Sequence, residues 1–386
     1  MIPYGRQEIT EEDISEVEKV LRSNFLTQGP IVPKFEKSVA DYCGTSYAVA
    51  VNSATSALHI ACLSLGLGPN DWLWTSPNTF VASANCALYC GANVDFVDID
   101  PTTYNMSIGG LSKKLEESYK LGNLPKVVVP VHFAGQSCDM QAIYELSKRY
   151  GFKIIEDASH AIGSSYKKVK VGSCTYSDIT VFSFHPVKII TSAEGGMALT
   201  NNKEIADKIS RLRTHGITRD KEKMKKRSAE EIWNYQQIDL GFNYRMNDIQ
   251  AALGLSQLKR VDEYVNRRNR LAENYNTKLK NLKITLPFQS AESYSSYHLY
   301  PILVENNLKD KSQKKIYEEL IQNGILANLH YTPVHRHPYY ESLGFKINDF
   351  PEAEKFHQKA ISIPMYASLK SEEQEHVINT LRKINS

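Results

Sequence analysis

Strand-like and helix-like segments alternate along most of this 386-residue chain, and this alternation constrains its fold more than any other feature. The β-branched runs at 127–131 and 153–155 have the composition of strands that are buried on both faces. Amphipathic segments at 111–119 and 139–150 lie between strands. Because successive parallel strands need a crossover helix between them, this order predicts an α/β chain with a large, mainly parallel sheet covered on both faces.

The pattern changes from about residue 255. The segments expected after it are a helix at 249–264 that continues to 279, strands at 297–304 and 325–329, and helices at 311–323 and from 371. This mixture is typical of a smaller α+β unit. We therefore predict a large α/β domain over residues 1–250 and a small C-terminal α+β domain over residues 251–386.

Composition excludes several classes of protein. A net charge of +3 is too small to favour nucleic acid as a partner, and no apolar run approaches membrane-spanning length or resembles a signal peptide. We expect a cytoplasmic protein. We also expect no metal, because Cys86 and Cys90 lack a second cysteine pair and no carboxylate accompanies His330, His335 and His337.

Two residues indicate the chemistry. Lys188 lies in a loop of apolar and small residues, where loss of water lowers the pKa of an amine and leaves it able to condense with an aldehyde. Asp157 ends a predicted buried strand about thirty residues earlier. An amine to bind the aldehyde carbon and an anion to keep the pyridine nitrogen protonated are what pyridoxal phosphate requires. Taken alone, Lys188 would be an ordinary loop lysine.

A third segment supports the same cofactor. The strand predicted at 47–51 is followed by a small-residue turn at 52–56 and by a helix at 57–67. The free N–H groups and the positive dipole at the start of a helix suit a phosphate, which would here be bound by Ala54 and Thr55. The alternative is a plain helix cap, since serine and threonine are common at that position.

Three motifs carry a family resemblance. They are Glu-Asp-Ala-Ser-His-Ala at 156–161, Ser-Phe-His-Pro-Val-Lys at 183–188 and Glu-Gly-Gly at 194–196. In this order they resemble the signature of the DegT/DnrJ/StrS family of nucleotide-sugar aminotransferases, which are fold-type I pyridoxal phosphate enzymes. The resemblance runs in one register from Tyr4 to the carboxyl terminus.

The resemblance implies a role for each motif. Lys188 is the catalytic amine, which binds the cofactor and transfers the proton, and Asp157 is the partner of the pyridine nitrogen. A homodimer with shared active sites is also implied. The remaining cofactor contacts are Ala54, Thr55 and Ser183 at the phosphate, Phe80 stacked on the ring, His160 at the ring hydroxyl, and Asn243, contributed by the second subunit.

The resemblance also implies a substrate. The expected contacts to the sugar nucleotide are Tyr4, Asn24, Phe25, Leu26, Thr27, Asn328, Leu329, His330 and Tyr331, although the loop that contains residues 24–27 could equally be a structural connector. His160 occupies a position where most members of the family have glutamine. The motif sequences of this chain are most similar to those of one subgroup. Its members transfer an amino group from L-glutamate to C4 of a UDP-linked 4-keto-6-deoxy-N-acetylhexosamine, towards pseudaminic acid.

Several alternatives remain. A nicotinamide oxidoreductase would need a G-x-G-x-x-G turn, and residues 52–55 do not provide it. A dehydratase of the same family would carry histidine at position 188. A different keto-sugar nucleotide, with the keto group at C3 or with another C4 epimer, and a non-catalytic regulator on the same fold are both left open.

Overall fold

The computed structural model describes residues 1–226, 234–305 and 312–385. The sequence is rich in charged residues at 219–231. Part of this stretch and the predicted helix start at 311 lie outside the described residues. The helices are α1 Glu11–Leu21, α2 Ile31–Cys43, α3 Ala54–Ser64, α4 Ala82–Tyr89, α5 Ile108–Leu121, α6 Met140–Tyr150, α7 Lys203–Leu212, α8 Asp248–Leu258, α9 Val261–Leu279, α10 Gln313–Gln322, α11 Pro338–Glu341, α12 Pro351–His357 and α13 Ser371–Asn385.

The strands are short and are distributed over one large and several small sheets. They are β1 Ile2–Pro3, β2 Tyr47–Val51, β3 Trp72–Thr75, β4 Asn93–Phe96, β5 Val127–Val129, β6 Lys153–Asp157, β7 Ser165–Tyr166, β8 Val169–Lys170, β9 Ile179–Ser183, β10 Gly196–Thr200, β11 Ile217–Thr218, β12 Gln236–Gln237, β13 Ile284–Thr285, β14 Ser293–Tyr294, β15 Tyr300–Val304, β16 Ile325–Leu326 and β17 Ala360–Ile363.

The large sheet has seven strands in the order β2-β10-β9-β6-β5-β3-β4. The pairs β3–β4, β3–β5, β5–β6 and β6–β9 are parallel, whereas β10 runs antiparallel to both β2 and β9. The prediction of a mainly parallel α/β sheet is confirmed. The antiparallel β10 was not anticipated, because a hydrophobic strand pattern carries no direction.

Helices cover both faces of this sheet, and the side chains of β9 pack against helices on each face. Val181 packs in a core cluster with residues of α3, α4 and α7, whereas the next residue, Phe182, packs in a cluster with residues of α2 and α8. Successive side chains of a strand point to opposite faces, so a strand that is covered on both faces is buried along its whole length. All five residues of β9 are buried.

A second core lies in the C-terminal part of the chain. The three-stranded sheet β13-β15-β17 packs with residues of α9, α10 and α13. Residues 2–3 also belong here, because β1 pairs in parallel with β16. The domain boundary between residues 250 and 251 stays a prediction.

Several predicted boundaries differ from the observed ones; the strand predicted at 297–304 begins at Tyr300, and the strand predicted at 325–329 ends at Leu326. Two further differences concern α3 and the long helix predicted from residue 249. Helix α3 begins at Ala54 and not at Ala57, because the Ser53 hydroxyl caps it and accepts a hydrogen bond from the Ser56 N–H (3.1 Å). The predicted continuous helix from 249 to 279 is two helices, broken at residues 259–260. Beside this break, Arg260 donates to the fully buried carboxylate of Asp13 at 2.7 Å.

The carboxylate of Asp248 joins α8 to the start of α2. Asp248 is fully buried and accepts hydrogen bonds from the N–H groups of Gly29 (2.7 Å), Ile31 (2.8 Å) and Val32 (3.2 Å). Its own N–H donates to the Leu26 carbonyl at 2.9 Å. This one side chain therefore fixes the loop before α2 against the segment that begins α8.

We predict that Asp248→Ala destabilises the chain by about 2–4 kcal/mol, because three N–H donors lose a charged acceptor in the interior. Urea unfolding measures the change. Asp41→Ala is the matched control, since Asp41 is exposed and paired with Lys37 on α2. A loss in Asp248→Ala no greater than that of the control would contradict this account.

Candidate functional site

A cavity of about 300 Å³ opens at the carboxyl ends of β6 and β9. Ligands of open α/β sheets bind in this region, where loops leave the strands. The cavity brings together residues from distant parts of the chain, including the loop after β9 and the N-terminus of α3. The predicted site residues that line it are Tyr4, Ala54, Thr55, Phe80, Asp157, His160, Ser183, Lys188 and Tyr331.

Lys188 contributes an amine to this cavity. Its N–H donates to the His185 carbonyl at 2.9 Å, which closes a tight turn after β9. Burial lowers the pKa of Lys188, and the negative charge of Asp157 raises it by a smaller amount, so the pKa is about 8. A substantial fraction of the amine is therefore neutral, and nucleophilic, close to neutral pH.

Asp157 is held in one orientation at the end of β6. One carboxylate oxygen accepts from the Ser83 hydroxyl (2.6 Å), and the other accepts from the hydroxyl (2.6 Å) and N–H (3.1 Å) of Ser159. Asp157 is 5% exposed and lines the same cavity as Lys188. An oriented, nearly buried carboxylate can bind a protonated ring nitrogen.

The neighbouring carboxylate, Glu156, is used differently. It lies within 2.7 Å of His132 Nε2 and accepts hydrogen bonds from the hydroxyls of Ser177 and Thr180. Because side chains alternate along a strand, Glu156 and Asp157 face opposite sides of β6. Of the two adjacent acids, only Asp157 lines the cavity.

The N-terminus of α3 forms the opposite wall. Ser53 satisfies the N–H groups of Ser56 and Ala57, so the N–H groups of Ala54 and Thr55 are the ones that remain in the first turn. The backbone of β10 passes close by, since a Cβ at Gly196 would overlap the Ser53 backbone. This arrangement provides two free donors for an anionic group, beside the hydroxyl of Ser183.

His160 and Tyr331 lie on one side of the cavity. His160 Nε2 is 3.1 Å from the Tyr331 hydroxyl, and His160 Nδ1 accepts from the Ala134 N–H at 3.3 Å. The His298 ring contacts the His160 ring, with centroids 4.3 Å apart. The predicted contact between His160 and a cofactor hydroxyl stays a prediction.

The remaining predicted residues do not line the cavity. His330 and Asn328 lie behind Tyr331, where His330 bonds the Ser362 hydroxyl (3.0 Å) and the Asn328 amide (3.3 Å). Leu329 is partly exposed at 37%. Asn24, Phe25, Leu26 and Thr27 form an exposed loop, and Asn243 is also exposed. Among the described residues of this chain, therefore, neither the loop nor Asn243 lines the cavity.

Sequence reasoning missed several residues of the site. Ser83 and Ser159 hold Asp157, and His298 packs on His160. Ser159 lies within the motif at 156–161 and could have been found from it. Ser83 and His298 belong to segments with ordinary helix and strand patterns, so no local signal marks them.

The described residues offer no metal site and no membrane-spanning helix. Among residues 1–226, 234–305 and 312–385, no group of three histidine, cysteine or acidic side chains could hold a metal ion. No helix in the same ranges is long and apolar enough to cross a membrane. A shallow groove along α9 is lined by Asn266, Asn269 and Tyr294, but these side chains already hydrogen-bond one another or nearby carbonyls.

Comparison with known proteins identifies relatives over nearly the full chain. The model of the DegT/DnrJ/EryC1/StrS aminotransferase family matches residues 7–382. A curated relative from Campylobacter jejuni subsp. jejuni strain 81-176, named UDP-4-amino-4,6-dideoxy-N-acetyl-beta-L-altrosamine transaminase, is 38% identical over 387 residues. The match covers 100% of this chain and 97% of that protein.

Solved structures agree. Helicobacter pylori PseC, an aminotransferase involved in the biosynthesis of pseudoaminic acid, has a TM-score of 0.89 and 33% identity over 99% of this chain and 98% of its own. The PLP form of Spr1654 from Streptococcus pneumoniae has a TM-score of 0.88 and 30% identity, covering 100% of this chain and 98% of its own. The predicted family resemblance, fold type I and cofactor are confirmed.

The residues present fit pyridoxal phosphate. Lys188 can bind its aldehyde, Asp157 its ring nitrogen, and the N–H groups of Ala54 and Thr55 with Ser183 its phosphate. Phe80 lines the same cavity and is 59% exposed in this chain, so its ring face is open to a planar ligand.

We predict that the rate of covalent binding of pyridoxal phosphate to the apoprotein rises roughly tenfold per pH unit and levels off above about pH 8. The reason is that only the neutral amine of Lys188 reacts. Stopped-flow absorbance measures the rate. Lys188→Ala should show no covalent product, whereas Lys153→Ala, at an exposed lysine on β6, should match the wild type. A midpoint near the ordinary lysine value of 10.5 would contradict the desolvation argument.

Proposed function

The chain belongs to the DegT/DnrJ/EryC1/StrS family of pyridoxal phosphate-dependent sugar aminotransferases, and from that premise we propose its specific reaction. It transfers an amino group from L-glutamate to C4 of a UDP-linked 4-keto-6-deoxy-N-acetylhexosamine, in nonulosonate biosynthesis of the pseudaminic acid type. The observation that carries the proposal is a single cavity that holds Lys188 and Asp157 together.

Each residue has a defined task. When bound, pyridoxal phosphate supplies an electron-withdrawing ring that stabilises negative charge at the amino donor's Cα. Asp157 keeps the ring nitrogen protonated, and its three hydrogen bonds hold it in place for that task. Once its amine is free, Lys188 Nζ can remove the proton from the donor's Cα and deliver it to the carbon on the other side of the transferred nitrogen. A pKa of about 8 suits both the removal and the delivery of the proton.

The substrate is supported by similarity. The named C. jejuni transaminase and H. pylori PseC match along nearly the whole chain. The motif resemblance at His160 points to the same subgroup. At 38% identity a change of epimer or keto position is a real alternative. A non-catalytic regulator is disfavoured because Lys188 and Asp157, the two groups that the chemistry needs, line one cavity.

We also infer a homodimer with shared active sites. Asn243 and the loop at 24–27 are exposed and do not line the cavity of their own chain. We infer that the two segments lie on one surface, because Asp248, five residues after Asn243, hydrogen-bonds to Leu26 and Gly29. We propose that this surface completes the partner's cavity, with Asn243 at the cofactor phosphate.

We also propose a cytoplasmic location, which agrees with all six cysteines being free thiols.

Asp157→Asn should leave a folded protein that still binds the cofactor but turns over roughly 100-fold or more slowly, because a neutral amide cannot keep the ring nitrogen protonated. Steady-state kinetics and the visible spectrum measure the two effects. The control is Asp41→Asn, a substitution of an exposed aspartate on α2. Wild-type turnover in Asp157→Asn would show that this carboxylate is not needed to keep the ring nitrogen protonated.

The substrate prediction is tested with prepared sugar nucleotides. We expect the enzyme, with L-glutamate, to aminate the UDP-linked 4-keto sugar and to leave the 3-keto sugar unchanged. Product mass and NMR identify the aminated carbon. Amination of the 3-keto sugar alone would exclude the proposed substrate.

Mixed dimers test the shared site. Chains carrying Lys188→Ala are combined with chains carrying Asn243→Ala, after each variant is shown to be strongly impaired alone. If Asn243 acts on the partner's site, each heterodimer has one doubly altered site and one wild-type site, so about half of the wild-type activity returns. Heterodimers verified by mass that show no recovered activity would place Asn243 in its own chain's site.

A further inference from the structure

A short hydrogen-bond chain ends at the cavity. The Ala134 N–H donates to His160 Nδ1 at 3.3 Å, and His160 Nε2 lies 3.1 Å from the Tyr331 hydroxyl. His160 is 5% exposed. Its ring also contacts those of His298 and Phe133, with centroids 4.3 Å and 6.2 Å away. The backbone and packing therefore fix the direction in which His160 faces Tyr331.

The position of the ring proton follows from this geometry. Burial lowers the pKa of His160 well below its ordinary value, and the positive charge of Lys188 and the nearby His330 lower it further. His160 is thus neutral and carries a single ring proton. Nδ1 accepts the Ala134 N–H and has no proton of its own, so the proton is on Nε2, which donates to the Tyr331 oxygen.

Tyr331 is left with a proton to donate. Its oxygen accepts from His160, and within the described residues the Tyr331 hydroxyl has no second partner. Burial raises the pKa of Tyr331 well above its ordinary value, so the group remains a phenol. Its ring lines the cavity with Lys188 and Asp157. The hydroxyl proton of Tyr331 is therefore available to an acceptor on a molecule bound in that cavity.

We propose that Tyr331 is a hydrogen-bond donor to an oxygen atom beside the reacting carbon, and that His160 is the positioning residue that directs it. This inference rests on the proposed function and deepens it. The acceptor is an oxygen with a high density of negative charge. Two bound molecules could provide it: the cofactor through its ring hydroxyl, or the sugar nucleotide through its keto group.

Three variants test the hydrogen bonds that link Ala134, His160 and Tyr331. Tyr331→Phe removes only the hydroxyl. His160→Ala removes the group that directs it, whereas His160→Gln keeps one acceptor and one N–H donor and should restore the wild-type behaviour. Tyr294→Phe is the matched control, because it removes a tyrosine hydroxyl that bonds Asn266 outside the cavity.

Two measurements locate the acceptor. The first is the pH titration of the bound cofactor's visible absorbance, which requires no turnover. If the acceptor is the ring hydroxyl, Tyr331→Phe and His160→Ala shift the midpoint by about one pH unit or more. The second compares the two half-reactions in single turnovers. If the acceptor is the keto oxygen, the titration is unchanged, the glutamate half-reaction stays within about twofold, and the keto-sugar half-reaction falls about tenfold or more.

The proposal is overturned if Tyr331→Phe changes neither the titration nor the keto-sugar half-reaction. It is also overturned if His160→Ala behaves as the wild type while Tyr331→Phe does not, or if His160→Gln fails to restore activity in a folded protein. If the wild type reacts with glutamate but aminates no UDP-linked keto sugar, the proposed function fails alone. In that case a shifted midpoint still supports the donor role of Tyr331, and an unchanged one excludes the ring hydroxyl as its acceptor. The half-reactions are then compared with the sugar nucleotide that the enzyme does aminate, and an unaffected sugar half-reaction in Tyr331→Phe overturns the proposal.

Discussion

The parallel pairing of β6 with β9 is the interaction on which the site depends. It places Asp157 opposite Val181, and the Ala158 N–H donates to the Val181 carbonyl at 2.9 Å. Two adjacent parallel strands end at the same edge of the sheet, so the carboxylate after one and the lysine loop after the other must meet. Lys188 is buried in the loop after β9, and this loss of water lowers its pKa to about 8.

Antiparallel β10 adds a second constraint. It returns the chain between β9 and β2, so Gly196 runs against the Ser53 backbone at the start of α3. The anion-binding end of that helix is therefore fixed relative to the lysine loop by continuous hydrogen bonding. The C-terminal part of the chain then closes the cavity with Tyr331 and packs His298 onto His160.

The sequence was sufficient for the alternation, for most strands of the large sheet and for the cavity residues that lie in local motifs, such as Asp157, Lys188 and Ala54. It was insufficient wherever a contact joins distant segments. Ser83 reaches Asp157 across 74 positions and Tyr331 reaches His160 across 171, and neither pairing leaves a periodic pattern. The break before Val261 was missed for the same reason, since Arg260 pairs with Asp13 at the other end of the chain.

The central claim is that Lys188 is the amine that binds the cofactor. Reduction of the protein–cofactor complex with borohydride makes that bond permanent, and mass spectrometry of the digested protein then locates the label. The account predicts a single pyridoxyl label on the peptide that contains Lys188. A label on any other lysine, with Lys188 unmodified, would contradict it.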